Sequence, residues 1–314
     1  MSNKSILQPL HHPLFTQHQI SVFIKRDDLI HPIISGNKWR KLKYNIQFAK
    51  NNNYKGILSF GGSYSNHIHA LAFACQQNHL QSIGIIRGEP EYASNYTLAS
   101  AQQWGMTLQF VDRKTYRKRH DDDYLLQLKE QYPDYLMVPE GGSNHLALSG
   151  VAEVCHELNN QIEYDVLMTP VGSAGTISGL IHGDQGQHHI IGVAVLKNAD
   201  YLNAEIKTLL ADEKLPTNNW QLLTQYNGGG YAKFSEQDKN QLLDFIKITQ
   251  IPFEPVYSGK MILALLDLVS RHHFQAGQRI VLLHTGGLQG LMGLIEQKRI
   301  KANEWSLPPE LLAQ

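Results

Sequence analysis

The sequence predicts an α/β fold in which parallel sheets carry helices on both faces. Three observations lead there. Short apolar runs alternate with stretches of helical period along most of the chain, the pattern of strands joined by crossover helices. Glycine-rich turns follow several of those runs, and open α/β sheets bind ligands beyond the carboxyl ends of their strands. At 314 residues the chain is long enough for a large core and suggests about two domains.

Each element follows from the same pattern. Strands are expected at residues 57–60, 82–87, 107–111 and 136–138, with helices near 67–77, 96–104 and 124–132 between them. A second series has strands near 165–171, 190–195 and 279–284, and helices near 149–158, 201–210, 236–249 and 261–272. No repeat, low-complexity tract or long linker separates the two series, so short crossings between packed domains are expected. The expected division is a large domain of residues 1–48 plus 149–314, with a small α/β domain, 49–148, inserted in it.

Lys plus Arg equals Asp plus Glu, 28 against 28, so no global field draws the protein to nucleic acid or to an anionic membrane. The expected partner is a small molecule. The first fifteen residues contain prolines and paired histidines where a secretory signal needs a continuous apolar region, and no segment is long enough to span a bilayer. The chain reads as a soluble cytoplasmic protein. Cys75 and Cys155 fall in helical patterns with neither metal nor disulfide spacing, and read as small core residues.

The most telling stretch is Ser35-Gly36-Asn37-Lys38-Trp39-Arg40-Lys41-Leu42. Trp39, Leu42, Ile46 and Ala49 set a helical rhythm that begins just after a Ser-Gly-Asn turn suited to an N-cap. Lys38 then falls in the first turn, where the macrodipole disfavours a cation by about 0.3–1 kcal/mol. That position, with some desolvation, pushes an amine towards the neutral, nucleophilic form that a Schiff-base lysine needs. The competing reading is a solvated basic face, because Arg40, Lys41 and Lys43 follow closely.

Four turns carry the remaining chemistry, and all can face one cleft: Gly61-Gly62-Ser63-Tyr64-Ser65-Asn66-His67, Pro139-Glu140-Gly141-Gly142-Ser143-Asn144-His145, Gly172-Ser173-Ala174-Gly175-Thr176 and His284-Thr285-Gly286-Gly287. In the third, small residues let backbone N–H groups converge at a helix start, which suits a phosphate. It is neither a P-loop nor a dinucleotide fingerprint. A turn that merely allows close helix-to-sheet packing is the alternative. Ser65, Asn66 and His67 open a helix where a hydroxyl, an amide and N–H groups can hold a carboxylate, or where Ser63 or Ser65 simply caps it. His67 and His69 are two apart and, if helical, point to different sides, so no metal is expected there. The pairs His11-His12, His188-His189 and His272-His273 read as surface accidents. Ser173-Ala174-Gly175 is half of a nucleophile elbow, but Val171 stands where its leading glycine belongs. Tyr231, after three glycines, and Tyr257 stand in turn-like contexts. Each reads either as a cleft phenol or as a buried structural tyrosine.

A lysine set against its dipole, a phosphate-sized turn and a carboxylate-sized turn suit one cofactor, pyridoxal phosphate. Here the chain resembles the pyridoxal-phosphate enzymes of fold type II (the tryptophan synthase β-like fold, with the active site between domains) that group D-cysteine desulfhydrase with 1-aminocyclopropane-1-carboxylate deaminase. The resemblance runs from about Ile24 to Gly290 and rests on Gly36-Asn37-Lys38-x-Arg40-Lys41-Leu42 with the Ser65-Asn66 turn. The cysteine-synthase branch carries a different lysine motif. The resemblance implies that Lys38 forms the imine with the cofactor, that Asn37 precedes it, and that Gly172, Ser173, Ala174, Gly175 and Thr176 hold the phosphate. It implies Thr285 at the pyridine nitrogen, Ser65, Asn66 and His67 on the substrate, and Tyr231 and Tyr257 as active-site tyrosines. Ser65, Tyr231 and Tyr257 join Lys38 as catalytic candidates. A homodimer is also implied. The cyclopropane deaminases carry glutamate where this chain has Ser258 and glutamine where it has His67. The expectation is α,β-elimination from a small D-amino acid such as D-cysteine, giving pyruvate, ammonia and sulfide. The rivals are cyclopropane-carboxylate deamination, a serine hydrolase, and a non-catalytic protein that binds an amino acid or the cofactor.

Overall fold

A computed structural model describes residues 5–34, 36–211, 218–305 and 307. The chain opens with β1 (Leu7–Leu10), α1 (Pro13–Gln17), β2 (Ser21–Lys25) and α2 (Asn37–Asn51). It continues through β3 (Gly56–Gly62), α3 (Asn66–Gln77), β4 (Gln81–Arg87), α4 (Tyr96–Gln103), β5 (Met106–Val111), α5 (Arg113–Arg117), α6 (Asp122–Gln131) and β6 (Tyr135–Val138). Then follow α7 (His145–Asn159), β7 (Val166–Val171), α8 (Gly175–Asp184), β8 (His189–Ala194), α9 (Leu202–Leu209) and β9 (Trp220–Leu223). The last elements are α10 (Glu236–Thr249), α11 (Ser258–Ser270), β10 (Arg279–Leu283) and α12 (Gly290–Glu296).

Two sheets result. One has four parallel strands in the order β5-β4-β3-β6. The other has six, β1-β2-β10-β7-β8-β9. The larger sheet is not wholly parallel as expected: β1 returns antiparallel on β2. A short connection through α1 reverses the chain, and β1 lies at an edge where Pro9 needs no ladder donor.

Continuous apolar runs mark strands covered on both faces; β7 is buried at every position, as is β3 except at its last residue. One face of the large sheet packs under α10 and α11 through residues such as Phe245, Phe253, Met261 and Leu265. The other packs under α7 and α8 through Val151, Val154, Ile177 and Leu180. The small sheet is likewise covered on two faces. Its larger core includes Leu42, Ile46 and Ala49, so α2 lies on the small sheet while also packing along α7. Pairing of β7 with β10 ends at Met168, two residues before Pro170, which has no N–H to give.

Cys75 and Cys155 are buried free thiols. Two of the histidine pairs are not surface accidents. His12 caps α1, accepting from the Leu14 N–H at 3.2 Å, and stacks on Phe245. His188 pairs with Asp184 at 2.6 Å and lies flat on Tyr164. No helix among the described residues is long and apolar enough to cross a membrane.

Candidate active site

The turns after β3, β6, β7 and β10 all line one cavity of about 1080 Å³. The carboxyl-end rule thus brings together residues far apart in the chain, such as Ser65 and Thr285, 220 positions from each other.

Lys38 is the second residue of α2, and no acid stands in that first turn. The helix is capped by Gly36 without a side-chain hydrogen bond; Ser35, part of the expected capping turn, lies outside the described residues. Gly36 has φ +65°, and a Cβ there would lie 1.9 Å from the Thr285 carbonyl oxygen. Only glycine permits this approach, which lets the Asn37 N–H donate to the Thr285 oxygen at 3.3 Å. The start of the lysine helix and the Thr285 turn are therefore locked together. The Lys38 amine lines the cavity, and burial lowers its pKa to about 8.

Of the three basic residues after Lys38, only Lys43 is exposed. Arg40 is buried and bidentate to Asp27, and Lys41 is fully buried. The Lys41 ammonium donates to the Gly141 carbonyl at 2.8 Å, to Ser143 Oγ at 3.0 Å and to Ser173 Oγ at 3.4 Å. Burial, reinforced by the neighbouring Lys38 charge, drives its pKa well below the ordinary lysine range. Sequence reasoning missed this residue. The available signal was its spacing, because a lysine three positions after Lys38 shares its helix face.

Lys41 converges on the start of α8. That helix begins after Ala174 with no side-chain cap and no acid in its first turn. At Gly175 a Cβ would come within 2.6 Å of Ser143 Oγ and 2.8 Å of Lys41 Nζ. Asn37 Nδ2 donates to Thr176 Oγ1 at 2.8 Å, tying the two helix starts together. An uncapped helix N-terminus, an ammonium and two hydroxyls form a donor set that fits a phosphate.

Across the cavity, Ser65 caps α3, its oxygen accepting from the Ile68 N–H at 3.3 Å. The simple capping role is therefore real. Asn66 reaches towards the opposite turn, its amide nitrogen 2.8 Å from where a Gly287 Cβ would sit. His67 turns inward, with Nε2 2.8 Å from Ser59 Oγ. That hydroxyl sits 2.7 Å from the Val138 carbonyl and donates there. His67 must then donate through Nε2–H, which leaves Nδ1 as an acceptor. Burial first, then Lys38 and Lys41, holds the ring well below the usual imidazole pKa, so it is neutral.

Tyr231 and Tyr257 meet edge to face with centroids 5.9 Å apart. Tyr257 lies against Gly172, where a Cβ would be 2.7 Å from the ring. Its phenol is held well above the ordinary value by burial and by Tyr231. The turn that presents Tyr257 wraps around the buried Glu254 carboxylate, which accepts from the N–H groups of Val256, Tyr257 and Ser258. Burial nevertheless pushes Glu254 up to about 7. Ser258 points to Glu254, at 3.0 Å, and does not line the cavity. Thr285 is buried in the cavity wall. Ser173 has Ser143 and Lys41 as neighbours and no histidine, which gives no support to a serine hydrolase.

The sequence profile of the pyridoxal-phosphate dependent enzymes matches residues 7–286. A putative 1-aminocyclopropane-1-carboxylate deaminase of Thermotoga maritima is 29% identical over 293 residues, covering 88% of this chain and 92% of that protein. The mitochondrial bifunctional D-cysteine desulfhydrase/1-aminocyclopropane-1-carboxylate deaminase of Arabidopsis thaliana is 27% identical over 309 residues, covering 91% and 77%. Among solved structures, a homologue of 1-aminocyclopropane-1-carboxylate deaminase superposes with a TM-score of 0.82 at 24% identity, covering 94% of this chain and 93% of that one. A match over most of the chain, with the fold type II architecture and a phosphate-fitting donor set beside a lowered lysine, means that this chain belongs to the pyridoxal-phosphate dependent enzymes.

Proposed function

We propose that this enzyme is a lyase that expels a β leaving group from a small D-amino acid, with D-cysteine as substrate and pyruvate, ammonia and sulfide as products. The observation that carries the reading is the Lys38 amine, which shares its cavity with the uncapped start of α8 and whose basicity burial lowers to about 8. Bound pyridoxal phosphate supplies a carbonyl that captures amines and a conjugated ring that accepts electrons from Cα. Lys38 would hold the cofactor through its amine and would move the proton at the substrate Cα. Lys41, Ser143 and Ser173, with the N–H groups of Gly175 and Thr176, hold the phosphate. Thr285 would offer the ring nitrogen a neutral hydroxyl, which would leave that nitrogen unprotonated and the ring a weaker electron sink. The Ser65-Asn66 turn takes the substrate carboxylate, with His67 packed behind it. Tyr257, whose phenol stays protonated, gives a proton to the departing sulfur, with Tyr231 beside it.

A second reading is deamination of the cyclopropane acid, which both relatives carry in their names, one of them together with D-cysteine desulfhydrase. Against it, the residue after Tyr257 is a serine turned away from the cavity, and the Glu254 carboxylate beside it is spent on the N–H groups of its own turn and does not line the cavity. Borohydride reduction of the loaded enzyme followed by peptide mapping tests the core of the proposal. Label on Lys38 supports it; label on Lys41, or on neither lysine, sinks it. Assays then choose between substrates: pyruvate and sulfide from D-cysteine support elimination, whereas 2-oxobutyrate from the cyclopropane acid alone moves the assignment to the second reading. We further propose that residues 49–148 form the small domain, that the active unit is a cytoplasmic homodimer, and that sedimentation will give twice the chain mass.

A further inference from the structure

Local bonds hold the run Gly228-Gly229-Gly230 at a few points: the Gly229 N–H donates to Asn227 Oδ1 at 2.9 Å, the Gly230 N–H to the Asn227 carbonyl at 3.0 Å, and the Lys233 N–H to the Gly230 carbonyl at 3.1 Å. The φ values of the run are +59°, +91° and +127°, a region open mainly to glycine, and such a stretch has much conformational freedom to lose. Yet the residue it delivers, Tyr231, stands in the cleft against Tyr257. The tie to the rest of the fold comes from α11. Lys260, the third residue of that helix, is 2% exposed, and its ammonium donates to the carbonyls of Val195 at 3.0 Å, Asn227 at 2.6 Å and Gly230 at 2.6 Å. Three donors meet three carbonyls, so none is left over. The lysine stem also runs under the turn, since a Cβ on Gly228 would lie 3.4 Å from Lys260 Cε. As with Lys38, a lysine occupies the first turn of a helix that has no acid in that turn, where the dipole opposes a cation.

We propose that Lys260 is a positioning residue for Tyr231. It ties the glycine run to the end of β8, so that one helix start serves both phenols: Tyr257 sits at its cap, and Tyr231 is held through Lys260. The tether stands on geometry alone. Its effect on turnover rests on the reading that Tyr231 serves the reaction.

The test uses the cofactor-loaded full chain, D-cysteine as substrate, and the variants Lys260→Met, Lys260→Gln, Tyr231→Phe and the Lys260→Met/Tyr231→Phe double. Amide exchange at residues 226–232 should quicken about tenfold or more in Lys260→Met, with β7 and β10 unchanged. Turnover should fall about 10- to 100-fold without loss of cofactor affinity. In the Tyr231→Phe background, Lys260→Met should cost less than about twofold more. Lys260→Gln, which keeps two N–H donors, should fall between wild type and Lys260→Met, and decides the matter if methionine disrupts folding. Unchanged exchange at 226–232 overturns the tether. Fully additive losses overturn a route through Tyr231. If Tyr231→Phe turns over normally, the assignment of Tyr231 fails, while the exchange result still decides the tether.

Discussion

Lys38 is unstable by design in a sense that can be measured. Its ordinary pKa of 10.5 falls to about 8 in the folded protein. Between those values the unfolded chain binds a proton that the folded chain refuses. Stability therefore drops as pH falls from 10.5 to 8, and the cost persists below that window. Lys38→Met should raise the stability of the cofactor-free protein at pH 7 by about 2–3 kcal/mol, with the gain fading towards pH 10.5. Equal denaturant midpoints for the two proteins at pH 7 would show that the amine is solvated. Lys41 predicts a different outcome. If it holds phosphate, Lys41→Met should weaken pyridoxal phosphate binding about 10- to 100-fold and leave phosphate-free pyridoxal almost unaffected, measured by equilibrium titration. The two lysines also mark what the sequence discloses. Lys38 was legible because it breaks a local rule. Lys41 was not, because the groups that surround it, Gly141, Ser143 and Ser173, lie at least 100 positions away.

At the scale of elements, the site depends on helix starts held in fixed relation. Gly36 is the tightest joint, with its φ of +65° and the Thr285 carbonyl occupying the space of a Cβ. Gly36→Ala should destabilise the fold by about 3 kcal/mol or more, read as a lowered thermal midpoint. A loss below about 0.5 kcal/mol would mean that the joint is soft. Most buried strands and long helices were legible because apolar runs and helical period are strong local signals, although β2, with its run Val22-Phe23-Ile24, was not among the expected strands. Other elements that escaped had weak signals. β1 is four residues long and contains Pro9, β9 is only half-buried, and α12 contains Gly290 and Gly293. Gly293 is there because Tyr64 presses against it: a Cβ would come within 2.6 Å of that ring, a tertiary constraint that no helix propensity records.

Across the whole molecule, α2 joins the two sheets through charge as well as packing. Arg40 forks onto Asp27 at 2.6 and 2.8 Å and onto Glu157 of α7 at 2.9 and 3.0 Å. Arg40→Met would leave Asp27, fully buried, without its guanidinium, and should cost about 3–5 kcal/mol in denaturant unfolding. The location of the cleft was legible from strand ends alone, whereas its depth and the antiparallel edge strand were set by long-range packing. The interior placement of both cysteines carries a last consequence. Burial pushes the Cys75 thiol up to about 12 and Cys155 higher still, so neither offers a thiolate to an electrophile or a disulfide at neutral pH. Under the proposed reading, with a thiol substrate and sulfide as product, the chain is thereby spared mixed-disulfide poisoning. Native chain should pass through iodoacetamide with no gain in mass, and a cysteine engineered onto the surface would be the sole point of attachment for a reporter dye.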